Sequence, residues 1–122
     1  MKQEETEQWI ETLKILELWQ EEDRIEELVR GDYYEFMGQV RGSYIFTAHQ
    51  MIFVSGMGMT TFSARYKDIC AIKKSFVGPF LPFGVTIAVK NPQSGKEKKY
   101  KMSILGRKKW IEYLSSKTGV IN

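Results

Sequence analysis

The segment Gly42-Ser43-Tyr44-Ile45-Phe46-Thr47-Ala48-His49-Gln50-Met51-Ile52-Phe53-Val54-Ser55 decides the fold. Aromatic and β-branched residues fill two runs of strand length, Ser43–Ala48 and Met51–Ser55, broken by a tight turn at His49-Gln50. Downstream, Gly56-Met57-Gly58 is a turn. Thr60–Tyr66 then alternates, with Phe62, Ala64 and Tyr66 on one face and Thr61, Ser63 and Arg65 on the other. Ile69–Phe76 reads as the next strand, and Val77–Gly84, with two prolines and two glycines, as a loop. Val85, Ile87 and Val89 form the inner face of a further strand. Asn91–Gly95 is a turn, and Glu97–Ser103 is the last strand. Upstream, Arg24–Phe36 is open between two states. Ile25, Leu28 and Val29 suit a helix closing at Gly31, while Tyr33, Tyr34 and Phe36 suit a strand, so a switch to strand is expected between Arg24 and Asp32. Seven short strands at this spacing predict an antiparallel sandwich or barrel.

Helices flank the strands. Glu4–Gln20 is rich in Glu, Lys, Leu and Gln and has no Gly or Pro, which predicts a helix. Trp9, Leu13 and Leu16 form one apolar stripe with Ile10 beside it, while Ile15, Leu18 and Trp19 lie on a different side. Such a helix packs on two surfaces or meets a partner. At the other end Ser103 is an expected N-cap, Arg107–Ser116 is helical in type, and Gly119 suits the stop. Trp110, with Ile111, Tyr113 and Leu114, is the expected plug of the barrel's open corner.

The chain has 122 residues, enough for one domain with its own core. Its net charge of +3 hides a division: residues 1–30 carry −6 and residues 31–122 carry +9. An acidic helix, residues 1–22, is therefore expected beside a basic domain, residues 23–122. The arm is a candidate cover for the basic face. A single cysteine, Cys70, forms no internal disulfide and fits a reducing cytoplasm. The N-terminus lacks the basic start and apolar run of a signal peptide. The uncharged stretch Gly42–Ala64 is long enough to span a bilayer but too rich in Ser, Thr, Gln and Gly to do so. A soluble protein, at most peripheral at the membrane, is expected.

The order of elements and particular residues resembles the GRAM and pleckstrin-homology-like superfamily, as a small protein of bacterial type. The resemblance lies in Gly42–Thr47, the turn Ala48-His49-Gln50, and Met51–Ser55. It continues in Phe62–Tyr66 running into Asp68-Ile69, in Ile72-Lys73-Lys74, and in the terminal helix Arg107–Leu114 with its tryptophan. It covers roughly residues 24–122. Gln50 departs from it, standing where the family usually has a basic residue, and the acidic helix lies outside it. The resemblance implies a partly open barrel of about seven strands plugged by a C-terminal helix. It also implies a module that binds phosphoinositide, membrane or protein and performs no chemistry of its own.

The residues themselves point the same way. His49 sits in a turn without a partner motif, Cys70 has no neighbouring base or second thiol, and zinc spacing is absent. Gly56-Met57-Gly58 is no dinucleotide fingerprint. No catalytic, metal or cofactor site is expected. Basic residues cluster late: Lys73 and Lys74, then Lys96, Lys98, Lys99 and Lys101, then Arg107, Lys108 and Lys109. The last three open a helix, the unfavourable end for cations. The cluster reads as an anionic or lipid surface, or as a solvated face that guards an edge strand. Phe76, Phe80, Leu81 and Phe83 read as an apolar contact loop, or as a corner folded back onto the domain. Trp9, Leu13, Leu16 and Trp19 read as an interaction helix for a protein partner or a second copy. Nucleic acid is not expected, because Tyr100 is the one aromatic inside the lysine run.

Overall fold

Seven antiparallel strands form one sheet: β1 (Ile25–Glu35), β2 (Gly38–Thr47), β3 (Gln50–Ser55), β4 (Thr61–Arg65), β5 (Ile69–Val77), β6 (Leu81–Lys90) and β7 (Glu97–Ile104), in the order β4-β3-β2-β1-β7-β6-β5. A helix α1 (Gln3–Ile15) precedes them, a 3-10 turn (Tyr66–Asp68) joins β4 to β5, and α2 (Arg107–Thr118) ends the fold. The computed structural model describes residues 2–35, 38–77 and 81–120, without the side chains of Phe76, Val77, Leu81 and Pro82.

The hairpin that opens the sequence argument forms as its alternation requires. Ser43 pairs with Val54, Ile45 with Ile52, and Phe46 with Met51. Tyr44, Phe46, Met51 and Phe53 point to the interior, where Phe62, Ala64, Tyr66, Ile72, Ile87 and Met102 join them. The segment left open between helix and strand is β1, whose central residues meet both β2 and β7: Gly31 lies opposite Gly42 on one side and Ile104 on the other. The two glycines are required by close approach. A Cβ at Gly31 would lie 2.7 Å from the Ser103 carbonyl oxygen, and one at Gly42 would lie 2.3 Å from that of Val54.

β4 and β5 are the two sheet edges and do not pair with each other, so the barrel is open there. α2 fills the corner with Trp110, Ile111 and Leu114, all buried. Trp110 stacks on Phe46 at 5.1 Å between ring centres, with the planes 8° apart. The N-cap of α2 is Gly106 at φ 74°, not Ser103, which is still paired in β7. The expected loop Val77–Gly84 is also corrected. β5 and β6 continue toward each other, with Val77 opposite Leu81 and a register shift after Ser75.

α1 is shorter than the expected Glu4–Gln20. It ends in a Schellman turn: Glu17 adopts φ 61°, its amide donates to the Lys14 carbonyl at 3.1 Å, and the Leu18 amide donates to the Leu13 carbonyl at 2.8 Å. The reversal returns Leu18 and Trp19 to the same surface as Trp9, Leu13 and Leu16. That surface is the outer face of β2 and β3, where Ile45, Ile52 and Val54 form a second cluster around a fully buried Leu13. Every residue of β3 is therefore buried, since both its faces are covered. The acidic arm does not lie over the lysines. The apolar outer face of β3 holds it elsewhere.

Candidate functional site

The nine candidate basic residues fall into three groups. On β6, Val85 and Ile87 face the interior, so Thr86 and Ala88 face outward. Register carries this side across the sheet. Lys73 lies opposite Thr86, Thr86 opposite Lys101, and Lys101 opposite Tyr34 of β1, while Lys99 lies opposite Ala88. Lys73, Lys99 and Lys101 thus share the outer face of β5–β7. The first two are exposed, Lys101 is half-buried, and none is in an ion pair among the described residues.

Lys96 and Lys98 belong to a different place, the β6–β7 turn. Asn91 organises this turn by accepting hydrogen bonds from the Gln93 amide at 2.8 Å and the Ser94 amide at 3.2 Å on its side-chain oxygen. Lys98 alternates to the interior side, its Nζ 5.1 Å from the centre of the Tyr100 ring. That ring stacks on Phe62 at 4.3 Å, and Tyr33 lies 4.9 Å from Phe62. Aromatic rings therefore fill the barrel between β1, β4 and β7.

The third group surrounds the start of α2. Arg107 donates from Nη1 to the carbonyl oxygens of Ser75, at 3.1 Å, and Gly84, at 3.3 Å, which fastens α2 to the β5–β6 hairpin. This contact explains a cation at the unfavourable helix end: the guanidinium is occupied by two carbonyls. Lys109 lies over the Trp110 ring with its Nζ 4.7 Å from the ring centre, and Lys108 is exposed. Lys74 is in register with Val85, on the side opposite Lys73.

Of the apolar candidates, Phe76 and Leu81 lie in the strands, Phe83 is exposed beside Gly84, and Phe80 lies outside the described residues. Alternation puts Phe83 with Val85 and Ile87, on the side of the sheet away from Lys73 and Lys101. It stands near the α2 group and away from the lysine face. Trp9, Leu13, Leu16 and Trp19 are packed on this chain's own sheet.

Sequence reasoning missed a polar network at the opposite pole. The Asp23 carboxylate is fully buried. It accepts from the Thr47 hydroxyl at 2.7 Å and the Arg24 amide at 2.9 Å, with His49 Nδ1 at 3.1 Å. The Tyr66 hydroxyl donates to the Thr47 carbonyl at 2.7 Å, and burial holds that phenol far above its ordinary range. Gln50 is buried, and its Nε2 donates to the Leu18 carbonyl at 3.1 Å. An unpaired cation would be costly in that buried position. Cys70 is exposed, but its sulfur is 3.5 Å from the Ala88 carbonyl and 3.6 Å from the Glu97 carboxylate. Desolvation, then the neighbouring Glu97 charge, raises the thiol pKa and disfavours the nucleophilic form.

No group of three or more His, Cys, Asp or Glu among the described residues is placed to hold a metal ion. No helix among them is long and apolar enough to cross a membrane.

No protein-family model matches the chain, and no curated protein matches it in sequence. Solved structures do match its fold. The crystal structure of the C-terminal domain of an unknown protein from Leishmania infantum superimposes with a TM-score of 0.69 at 18% identity, covering 92% of this chain and 95% of that one. The Vps36 N-terminal PH domain matches with a TM-score of 0.62 at 13% identity, covering 84% and 83%. The Slm1 PH domain, solved in complex with inositol-4-phosphate, matches with a TM-score of 0.55 at 5% identity, covering 80% and 98%.

Proposed function

The fold that these neighbours share is the pleckstrin-homology-like barrel, and we propose that this chain is a non-catalytic binding module of the GRAM branch of that superfamily. It acts in the cytoplasm as a peripheral partner of anionic lipid surfaces. The observation that carries the reading is the row Lys73–Thr86–Lys101 with Lys99 beside it, a flat outer sheet face whose lysines lack acidic partners among the described residues. An anionic membrane attracts each nearby lysine by about 1 kcal/mol, so these three lysines give reversible, salt-sensitive attachment. The exposed Phe83, which precedes the Gly84 whose carbonyl Arg107 of α2 holds, supplies a second contact on the other side of the sheet. Inositol-4-phosphate bound by the Slm1 domain supports an anionic ligand for this fold.

Co-sedimentation with vesicles containing phosphatidylserine tests the reading. Binding at low salt, loss at high salt, and loss in K73E/K99E/K101E are expected. Absence of binding at low salt overturns it. The second reading is protein interaction without lipid. It is favoured by the exposed Met57, Met59 and Leu105.

A further inference from the structure

The surface beside α1 changes character in one direction. On the outer side of the helix, Glu4, Glu7 and Glu11 line a depression together with Gln8 and Thr12. Gln8 and Thr12 also border the next groove, which Trp9, Val54 and Met57 make apolar. That groove ends at Gly56, which borders a third, of about 580 Å³, lined by Arg30, Arg41, Asp32, Ser43 and Leu105, two cations to one carboxylate. Shared walls make the three a continuous strip that runs acidic, apolar, basic.

Neither end of the strip is in an ion pair among the described residues, although Glu7 accepts a hydrogen bond from the Gln3 side chain at 3.3 Å. Arg30 and Arg41 are exposed and form no ion pair among the described residues. Asp32, opposite Arg41 in register, is instead held by the Gln39 side chain. The middle is exposed apolar surface: Met57 is 85% accessible, and Leu105, at the basic end, is 81% accessible.

We propose that this strip is the interface of a two-fold homodimer. A strip charged oppositely at its ends is complementary to itself when rotated by half a turn about its centre, as a two-fold interface requires. That rotation lays Glu4, Glu7 and Glu11 of one copy over Arg30 and Arg41 of the other. The same contact is repeated at the far end, and Trp9 and Met57 of both copies meet across the axis. The arrangement also uses the division of charge between the helical arm and the body. A partner of unrelated sequence would need to match the strip at three places, whereas a second copy matches it by symmetry. A standard interface takes about 800 Å² from each partner, roughly a tenth of the 7989 Å² surface of this chain. Lys73, Lys99 and Lys101 stand outside the strip, so dimerisation and vesicle binding are separable.

Light scattering of the full chain across a concentration series tests the proposal. The wild type is expected to dimerise, more weakly as salt rises. E4K/E7K/E11K and R30E/R41E are each expected to be folded monomers, because every contact becomes a like-charge contact. Mixed in equal amounts, they are expected to recover a one-to-one dimer, since each contact then joins opposite charges. Met57→Glu, at an exposed turn position, is expected to abolish association without loss of fold. A wild type that stays monomeric at ~1 mM overturns the proposal. So does dimerisation of Met57→Glu as strong as that of the wild type, or a mixture of folded charge variants that remains monomeric.

Discussion

β2 and β3 carry a hydrophobic cluster on each side, and the two clusters are built differently. The inner one is largely aromatic, with Tyr44, Phe46, Phe53, Phe62 and Trp110 in stacked or edge contact, and it gathers residues from all seven strands and α2. The outer one is aliphatic at its centre. Leu13, Ile45 and Ile52 are fully buried and Val54 nearly so, while Trp9, Leu16, Leu18 and Trp19 are only half-buried around them. One alternating strand thus serves two cores. The inner cluster depends on residues distant in sequence and defines the barrel. The outer cluster attaches an additional helix to a barrel already complete.

The largest effect is expected inside. Trp110→Ala should cost about 3–5 kcal/mol in urea unfolding and loosen the whole barrel. A near-neutral result would break the comparison at once. Leu13→Ala should cost about 2–3 kcal/mol, the lower part of the usual range, because its cluster is partly open to solvent. Hydrogen exchange should then show α1 amides losing protection while β3 amides keep theirs. Equal loss in both would merge the two cores into one cooperative unit. Tyr66→Phe, which removes the donor to the Thr47 carbonyl at the edge between the clusters, should cost about 1–2 kcal/mol by the same unfolding assay. Glu17→Gly should stabilise by about 1 kcal/mol, read as a higher urea midpoint, since a Cβ at φ 61° is unfavourable.

The smallest effect is a pH dependence. Glu26 has its pKa held below the ordinary 4.5, chiefly by its hydrogen bond to Lys117 and against the opposing effect of burial, with Tyr113 and Arg24 assisting. A lowered folded-state pKa gives stability that is present above the unfolded value and lost as pH falls through the folded one. Melting temperature should therefore drop below about pH 4.5, and Glu26→Gln should remove that portion of the drop.

Much of this was legible in the sequence. Alternation in Thr60–Tyr66 and in Val85–Val89 named the inner faces, and Met51–Ser55 read as a strand, though its burial on both sides appears only in the structure. Besides the N-cap of α2, two readings failed for physical reasons. Val77–Gly84 looked like a loop because it concentrates prolines and glycines, yet the strand ladder extends to Val77 opposite Leu81 after a register shift. Glu4–Gln20 looked like one helix because Glu17 is a good helix former, and the left-handed turn there answers to the docking of Leu18. The candidate site was legible as composition only. That Lys73 and Lys101 share a face while Lys98 and Phe83 do not follows from strand register, which pairs residues remote in sequence. The charge division of the arm was visible, but not which face would receive it.

The placement of β1 carries a consequence for how the chain comes together. The first strand made is also the one that closes the sheet, by pairing Gly31 with Ile104 and Tyr34 with Lys101. During synthesis, the meander β1–β4 and the docked α1 assemble from neighbours as they emerge. The remaining edge of β1 and the open interior stay without partners until the last strand and α2 arrive. Pairing of β1 with β7 therefore waits on residues about seventy positions downstream, and slow formation of that contact is the expected outcome in a refolding experiment. Contacts so remote in sequence make that step slow relative to the hairpins that precede it.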